Sequence, residues 1–331
     1  MGPVILRRLL SLLPLLLFVS IALFGLSLQL DPDKAAAARA GGAEATSVEQ
    51  IERIKEELGL NDPIYVRYGR WIGNAIQLDL GESLVRVQPV TLDNGDVVIK
   101  GRSVTREIGL VLPRTLSIAA VGLVFGLVVG VSVGLVGGLQ PGSITDRVSV
   151  LFTTLGIAVP SFWLIMLLII FFSIDHSWLP ATGYEQMSSG WWEWLSHVLL
   201  PGIAVGTGVA AITARQLRAS LMDVMGAAYI RTAWAKGNSS RQVITRHALK
   251  NSLSAPLTTF GTMFAHMLGG TIVIESLVGI QGIGLLTVNA VRANDIVMLQ
   301  GIVLFFVVVT VALNLIVDLV YLYANPRVRL S

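Results

Sequence analysis

Apolar residues in this chain gather into long unbroken runs separated by shorter polar stretches. Six runs reach the length of about 20 residues that a helix needs to cross a bilayer core, at 9–28, 108–137, 148–172, 198–217, 256–274 and 298–323. Arg7 and Arg8 precede the first run and Ala35 to Ala38 follow it, as around a signal peptide. The uncharged stretch from Leu9 to Leu30 outlasts the roughly 7–15-residue core of such a peptide, so it reads as a retained span.

The pattern changes after the first run. "AAAARAGGAEATS" reads as a flexible linker. Ser47 with Gln50 then opens a capped helix, "IERIKEELG", ending at Gly59. In "PIYVRYGRWIGNAI", Tyr65, Tyr68 and Trp71 recur at helical spacing, which fits an interfacial helix or an ordinary packed one. "VRVQPVTLDNGDVVIKG" alternates around Asp93-Asn94-Gly95, which predicts a β-hairpin. In the third connection, Trp191, Trp192 and Trp194 suit a membrane interface.

The fourth connection inverts the composition. Arg215, Arg218, Arg231, Lys236, Arg241, Arg246 and Lys250 face a single acid, Asp223, whereas residues 173–197 carry no Lys or Arg. Burying seven such cations at a membrane centre would cost roughly 17–25 kcal/mol, so the connection lies in water or against protein. With six spans, the positive-inside rule places both termini and this connection in the cytoplasm. Within it, Met222, Met225, Tyr229 and Ala233 predict a modestly apolar helical stripe. Gly237, Asn238, Ser239 and Ser240 stop and turn the chain, and a second short basic helix follows from Arg241 to Leu253. Such an order suits a topology signal, an anionic-lipid contact, or a docking surface for a soluble partner. The helix–glycine–helix order favours docking, because a topology signal needs no particular order.

Composition sharpens the class. The chain has 331 residues, 53% hydrophobic and 14% charged, with mean hydropathy +0.72. A soluble domain is nearer 25% charged, so a polytopic membrane protein is indicated. There are no cysteines, which excludes disulfides and thiol chemistry. No GxxxxGK[ST] loop is present for nucleotide hydrolysis and no HExxH for zinc. His176, His197, His247 and His266 are too scattered to suggest a metal cluster. Glu275 and Asp318, the latter one turn after Asn314, lie toward span ends, where structural pairing outweighs a proton-relay role.

These residues carry a family resemblance. "AYIRTAWAKG" and "RHALKNSL" resemble the cytoplasmic EAA-type signature of the permease subunits of bacterial ATP-binding-cassette (ABC) importers, in the dipeptide/oligopeptide/nickel subgroup. "ELGLNDPIYVRYGRWIGNAIQLDLGESL", "LPRTLSIA", "VPSFWL", "VIESLVGIQGIGLL" and "NLIVDLVYLYANPRVRL" extend the resemblance, in order, over nearly the whole chain. Departures are Ala228 where an acid is common, Trp234 where a basic or small residue is common, and an apparent insertion at 88–102.

The resemblance implies an all-α polytopic protein with six transmembrane helices and the type I importer permease fold. A first span would occupy 1–28, an extracytoplasmic region with a short helix and hairpin 29–107, and a five-helix core 108–331, including a coupling loop at 218–253. ATPase coupling would fall to Met222, Met225, Tyr229, Arg231, Thr232, Ala233, Ala235, Lys236, Gly237, Arg246, His247 and Leu249. At Gly237 the expectation is a turn with φ > 0 that, beside a docked helix, leaves no room for a side chain. The implied partners are a homologous second permease, two ABC ATPase subunits or domains that hold ATP and Mg, an extracytoplasmic substrate-binding protein and the lipid bilayer of the plasma (inner) membrane. No catalysis, cofactor, metal or nucleic acid is implied for this chain. Its cargo would be di- or oligopeptide, or nickel or another small solute. The rival classes are an ATPase-independent secondary transporter or channel, expected to show repeats and midplane charge, and an intramembrane enzyme, which lacks a catalytic constellation.

Overall fold

The computed structural model describes residues 2–28, 31, 33, 36, 48–57, 59–91 and 97–324. Ser47, the Asp93-Asn94-Gly95 turn and the 325–331 tail lie outside them, as do the side chains of His266 and Asp318. The order is α1 (Gly2–Ser27), α2 (Val48–Glu57), α3 (Ile64–Ile76), β1 (Glu82–Thr91), β2 (Val97–Ser103), α4 (Val104–Leu139), α5 (Ile144–Ala158), α6 (Ser161–Asp175, its last turns π-helical), α7 (Trp191–Met225), α8 (Ala228–Ala235), α9 (240–252, with a π-helical centre), α10 (Ser254–Val278), α11 (Ile283–Arg292) and α12 (Ile296–Ala324). The chain divides into two compact units, one of residues 1–113 with 285–312, the other of 114–284 with 313–331.

Among the described residues, three helices are individually long and apolar enough to cross a membrane, namely α4, α7 and the Ile296–Val317 part of α12. The count is five if α5 with α6, and α10 with α11, are each one bent span. The apolar stretch of α1, Pro14–Ser27, is shorter. The third apolar run, expected to be one continuous span, is two helices meeting at 102°. Pro160 has no N–H to extend the α5 ladder, and it holds Val159 extended (ψ 120°). Past the end of the fifth run, α10 and α11 meet at 75°. There Gly279 ends α10 in the left-handed region at φ +68°.

In the first unit, α3 packs on α1 through aromatic rings. Tyr68 and Trp71 lie 5.4 and 6.1 Å from the Phe24 ring, and the Tyr68 hydroxyl is 2.8 Å from Ser20 Oγ. Tyr65 faces outward. β1 and β2 pair antiparallel, with Val90 opposite Val98 and Thr91 opposite Val97, as the alternation predicted. The strands start earlier and end later than the 88–102 insertion, and β2 leads straight into α4. Their root is polar and tied down. The Asp295 carboxylate accepts from Ser83 Oγ, Leu84 N and Met298 N, and Glu107 accepts from Arg86 (2.7 Å) and Arg102 (3.4 Å).

In the second unit, α4 and α7 approach backbone to backbone. Gly122, Gly126, Gly130, Gly134 and Gly138 recur every four residues and so share one helix face. A Cβ on Gly130 would sit 2.8 Å from the Ala210 carbonyl oxygen, and one on Gly134 2.8 Å from that of Ala214. Small residues at this spacing let membrane helices touch where lipid leaves no hydrophobic drive for association. Trp194 is buried and donates from Nε1 to Ser117 Oγ, whereas Trp191 and Trp192 are exposed. Glu275 is fully buried and accepts from Thr115 Oγ1 and Gly284 N, both at 2.7 Å, while Thr115 Oγ1 accepts from Ile283 N. This carboxylate therefore folds the α10–α11 turn back onto α4, the structural pairing expected of it.

Candidate coupling site

The basic connection folds as a small helical knob on the end of α7. Gly226 closes α7, Ala227 is extended (ψ 147°), and α8 starts afresh. The break resets the helical phase. Met222 and Met225 thus belong to α7 and Tyr229 and Ala233 to α8, so the expected four-residue stripe is not one helix face. Ala233 is buried and Met225 half-buried, while Met222 and Tyr229 face out.

The knob has its own core of Leu221, Ile230, Ala233, Val243 and Ala248, with Leu135, Leu139, Val224 and Met225 packed against it. Ile230, 1% exposed, is the anchor that the stripe overlooked. Its signal was present as an Ile230–Ala233 pair one position out of phase with Tyr229. Beyond α8, Gly237 takes φ +75°, and Asn238 donates from Nδ2 to the Ala233 carbonyl at 2.9 Å. Ser239 and Gln242 form a reciprocal capping box that opens α9, one residue ahead of the expected start. The left-handed turn at Gly237 is as expected. A Cβ there would meet no atom of this chain within 4 Å.

The remaining site residues spread over the outside of this knob. Arg231, Thr232, Ala235, Lys236 and Arg246 are exposed, while His247 and Leu249 are half-buried on α9. Tyr229 and Trp234, the latter a departure from the family pattern, are 44% and 41% exposed, two aromatic side chains on one eight-residue helix. Asn251 donates to the Tyr229 hydroxyl at 3.1 Å, tying α8 to α9. Arg218 belongs to the scaffold instead. Its guanidinium binds Asp146 through Nε and, at 3.0 Å, through Nη2, joining α7 to the first turn of α5. Among the described residues no group of His, Asp or Glu is arranged to hold a metal ion. What the arrangement offers chemically is a folded, cationic and aromatic surface with a sharp turn at its edge.

Comparison with known proteins agrees with this layout. A family profile described as "Binding-protein-dependent transport system inner membrane component" matches residues 115–330, and its N-terminal companion matches residues 1–119. A putative peptide transport system permease protein of Brucella abortus is 36% identical over 329 residues, covering 99% of each chain. The glutathione transport system permease protein GsiC of Escherichia coli is 34% identical over 325 residues, covering 98% of each. Among solved structures, the inward-facing MetNI methionine ABC transporter aligns with a TM-score of 0.54 at 17% identity, over 66% of this chain and 97% of that one, a likeness of fold. With both profiles together spanning its length, the chain belongs to the family of binding-protein-dependent transport system inner membrane components.

Proposed function

We propose that this chain is one half of the membrane pathway of an ATP-driven peptide importer, and that the α8–α9 knob is where a separate ATPase subunit grips it. The peptide cargo rests on the relatives, which are named for peptide and glutathione transport. The coupling role rests on one observation above all, namely that Tyr229 and Trp234 stand exposed on the two flanks of the buried stripe by which Ile230 and Ala233 fix this helix. A solvated loop has no need of a core, and a topology signal has no need of outward aromatics.

In this reading α1, α4, the bent pair α5–α6, α7, the bent pair α10–α11 and α12 make six crossings, with both termini and the knob in the cytoplasm. A homologous permease completes the pathway, an extracytoplasmic binding protein delivers the substrate, and ATP binding and hydrolysis occur in the partner subunits. ATP need only favour one of two packings of the paired permeases for the knob to transmit the change.

The test is copurification of the ATPase together with peptide uptake in vesicles. Tyr229→Ala should weaken attachment by about 1–3 kcal/mol if the ring is a docking anchor. Arg231→Ala and Lys236→Ala, at a wet rim, should cost about 0–1 kcal/mol each. Normal attachment and uptake in Tyr229→Ala combined with Trp234→Ala would refute the coupling role.

A further inference from the structure

The second unit contains a cavity of about 530 Å³ at the break between α5 and α6, walled by α7 and α10. Its size falls within the 300–1,000 Å³ of ordinary ligand sites. None of its lining residues is Asp, Glu, Lys, Arg or His. Its polar groups are of one kind, neutral hydrogen-bonding groups suited to amides. Pro160 cannot donate to the Gly156 carbonyl four residues before it, so the break strips that oxygen of its helical partner, and both residues line the cavity. From α7, Gln216 accepts a hydrogen bond from Thr259 Oγ1 at 2.8 Å through its side-chain oxygen. That bond orients the amide, and among the described residues the Gln216 NH2 has no acceptor. The apolar part of the lining includes Met263 and Met267, unbranched and polarisable side chains that adapt to varied shapes.

We infer that this cavity is a peptide subsite that reads the backbone of an extended peptide and is indifferent to its side chains. The Gln216 NH2 donates to a substrate carbonyl, the Gly156 carbonyl accepts a substrate N–H, and Met263 and Met267 take up whichever side chain is presented. A lipid tail would leave both polar groups unsatisfied. A charged solute or a metal ion would find no counter-charge. The inference rests on the peptide-importer reading above.

The absence of cysteine gives a direct test. A single thiol is placed in the lining as Ile212→Cys, with Thr207→Cys as a second position in case the first does not fold. The full complex with its partner subunits is reconstituted in vesicles, and the rate of modification by N-ethylmaleimide is read with trialanine, Ala-Lys-Ala or Ala-Phe-Ala present. All three peptides should slow modification at least threefold, while free alanine should not. Adding Gln216→Leu should raise the half-protecting concentration about fivefold, as loss of one net hydrogen bond does. Peptide uptake without protection at either thiol overturns the subsite and leaves the importer reading intact. Protection by only one of the three peptides overturns backbone reading. Absence of uptake for every peptide overturns the importer reading and the subsite with it.

Discussion

Gly237 allows backbone strain and partner contact to be measured separately. Its φ of +75° is a region that L-residues enter at a cost of roughly 1–2 kcal/mol. A Cβ there meets no atom of this chain within 4 Å, so side-chain size should not matter in the isolated permease. Gly237→Ala and Gly237→Leu should therefore destabilise the knob equally, by about 1–2 kcal/mol, and Gly237→Asn by less, because Asn tolerates the left-handed region. Limited proteolysis of the detergent-solubilised permease reads this directly, since cleavage in the knob follows its local opening. The same series is then measured with the ATPase present. If the ATPase surface fills the open space beside Gly237, Leu should lose at least tenfold more attachment than Ala. A Leu variant already far worse than Ala without the ATPase would refute the reasoning about space. Equal attachment of Ala and Leu would refute the placement of the partner.

The other predictions address the scaffold. Ile230→Ala should loosen the knob by about 2–5 kcal/mol and expose it to protease, whereas the half-exposed Tyr229→Ala, losing its hydrogen bond to Asn251, should loosen it by only about 0.5–1.5 kcal/mol. Gly134→Ala should lower the thermal unfolding midpoint, because its Cβ would press on the backbone of Ala214; Gly109→Ala, with nothing within 4 Å, should be neutral or stabilising by about 0.5–1 kcal/mol. Glu275→Ala should strand the Gly284 N–H and the Thr115 hydroxyl at about 1–3 kcal/mol each, and Glu275→Gln, which keeps an acceptor oxygen, should cost less in the same unfolding assay.

Which features were legible in the sequence follows from what each signal measures. Apolar runs report burial in lipid, and they located the main helices well. They are blind to direction, so the 102° bend inside the third run escaped notice even though Val159-Pro160 was in plain view. The antiparallel strands were readable because the alternation on either side of Asp93-Asn94-Gly95 serves few other structures. The glycine ladder of α4 was missed because hydropathy treats glycine as neutral, although its four-residue spacing is itself a packing signal. In the knob, the turn and the second helix followed from Gly237 and Ser239, whose chemistry is local. The core did not, because one extended residue, Ala227, shifted the phase of everything after it and put Ile230 inside in place of Tyr229.

The α4–α7 contact has a mechanical consequence. Five glycines at successive four-residue steps remove the α4 side chains from this contact, so Val205, Val209, Thr213, Leu217 and Leu221 of α7 lie against its backbone. Packed helices slide by letting interdigitated side chains repack in small increments, and here only one of the two helices supplies any. The pair is therefore a single stiff strut, and α7 carries the knob on its end. In the proposed coupling role, a push on the knob would be delivered along that strut. Compliance would then reside where the chain is already interrupted, at Pro160 and at Gly279, the two bends about which the rest of this unit would turn.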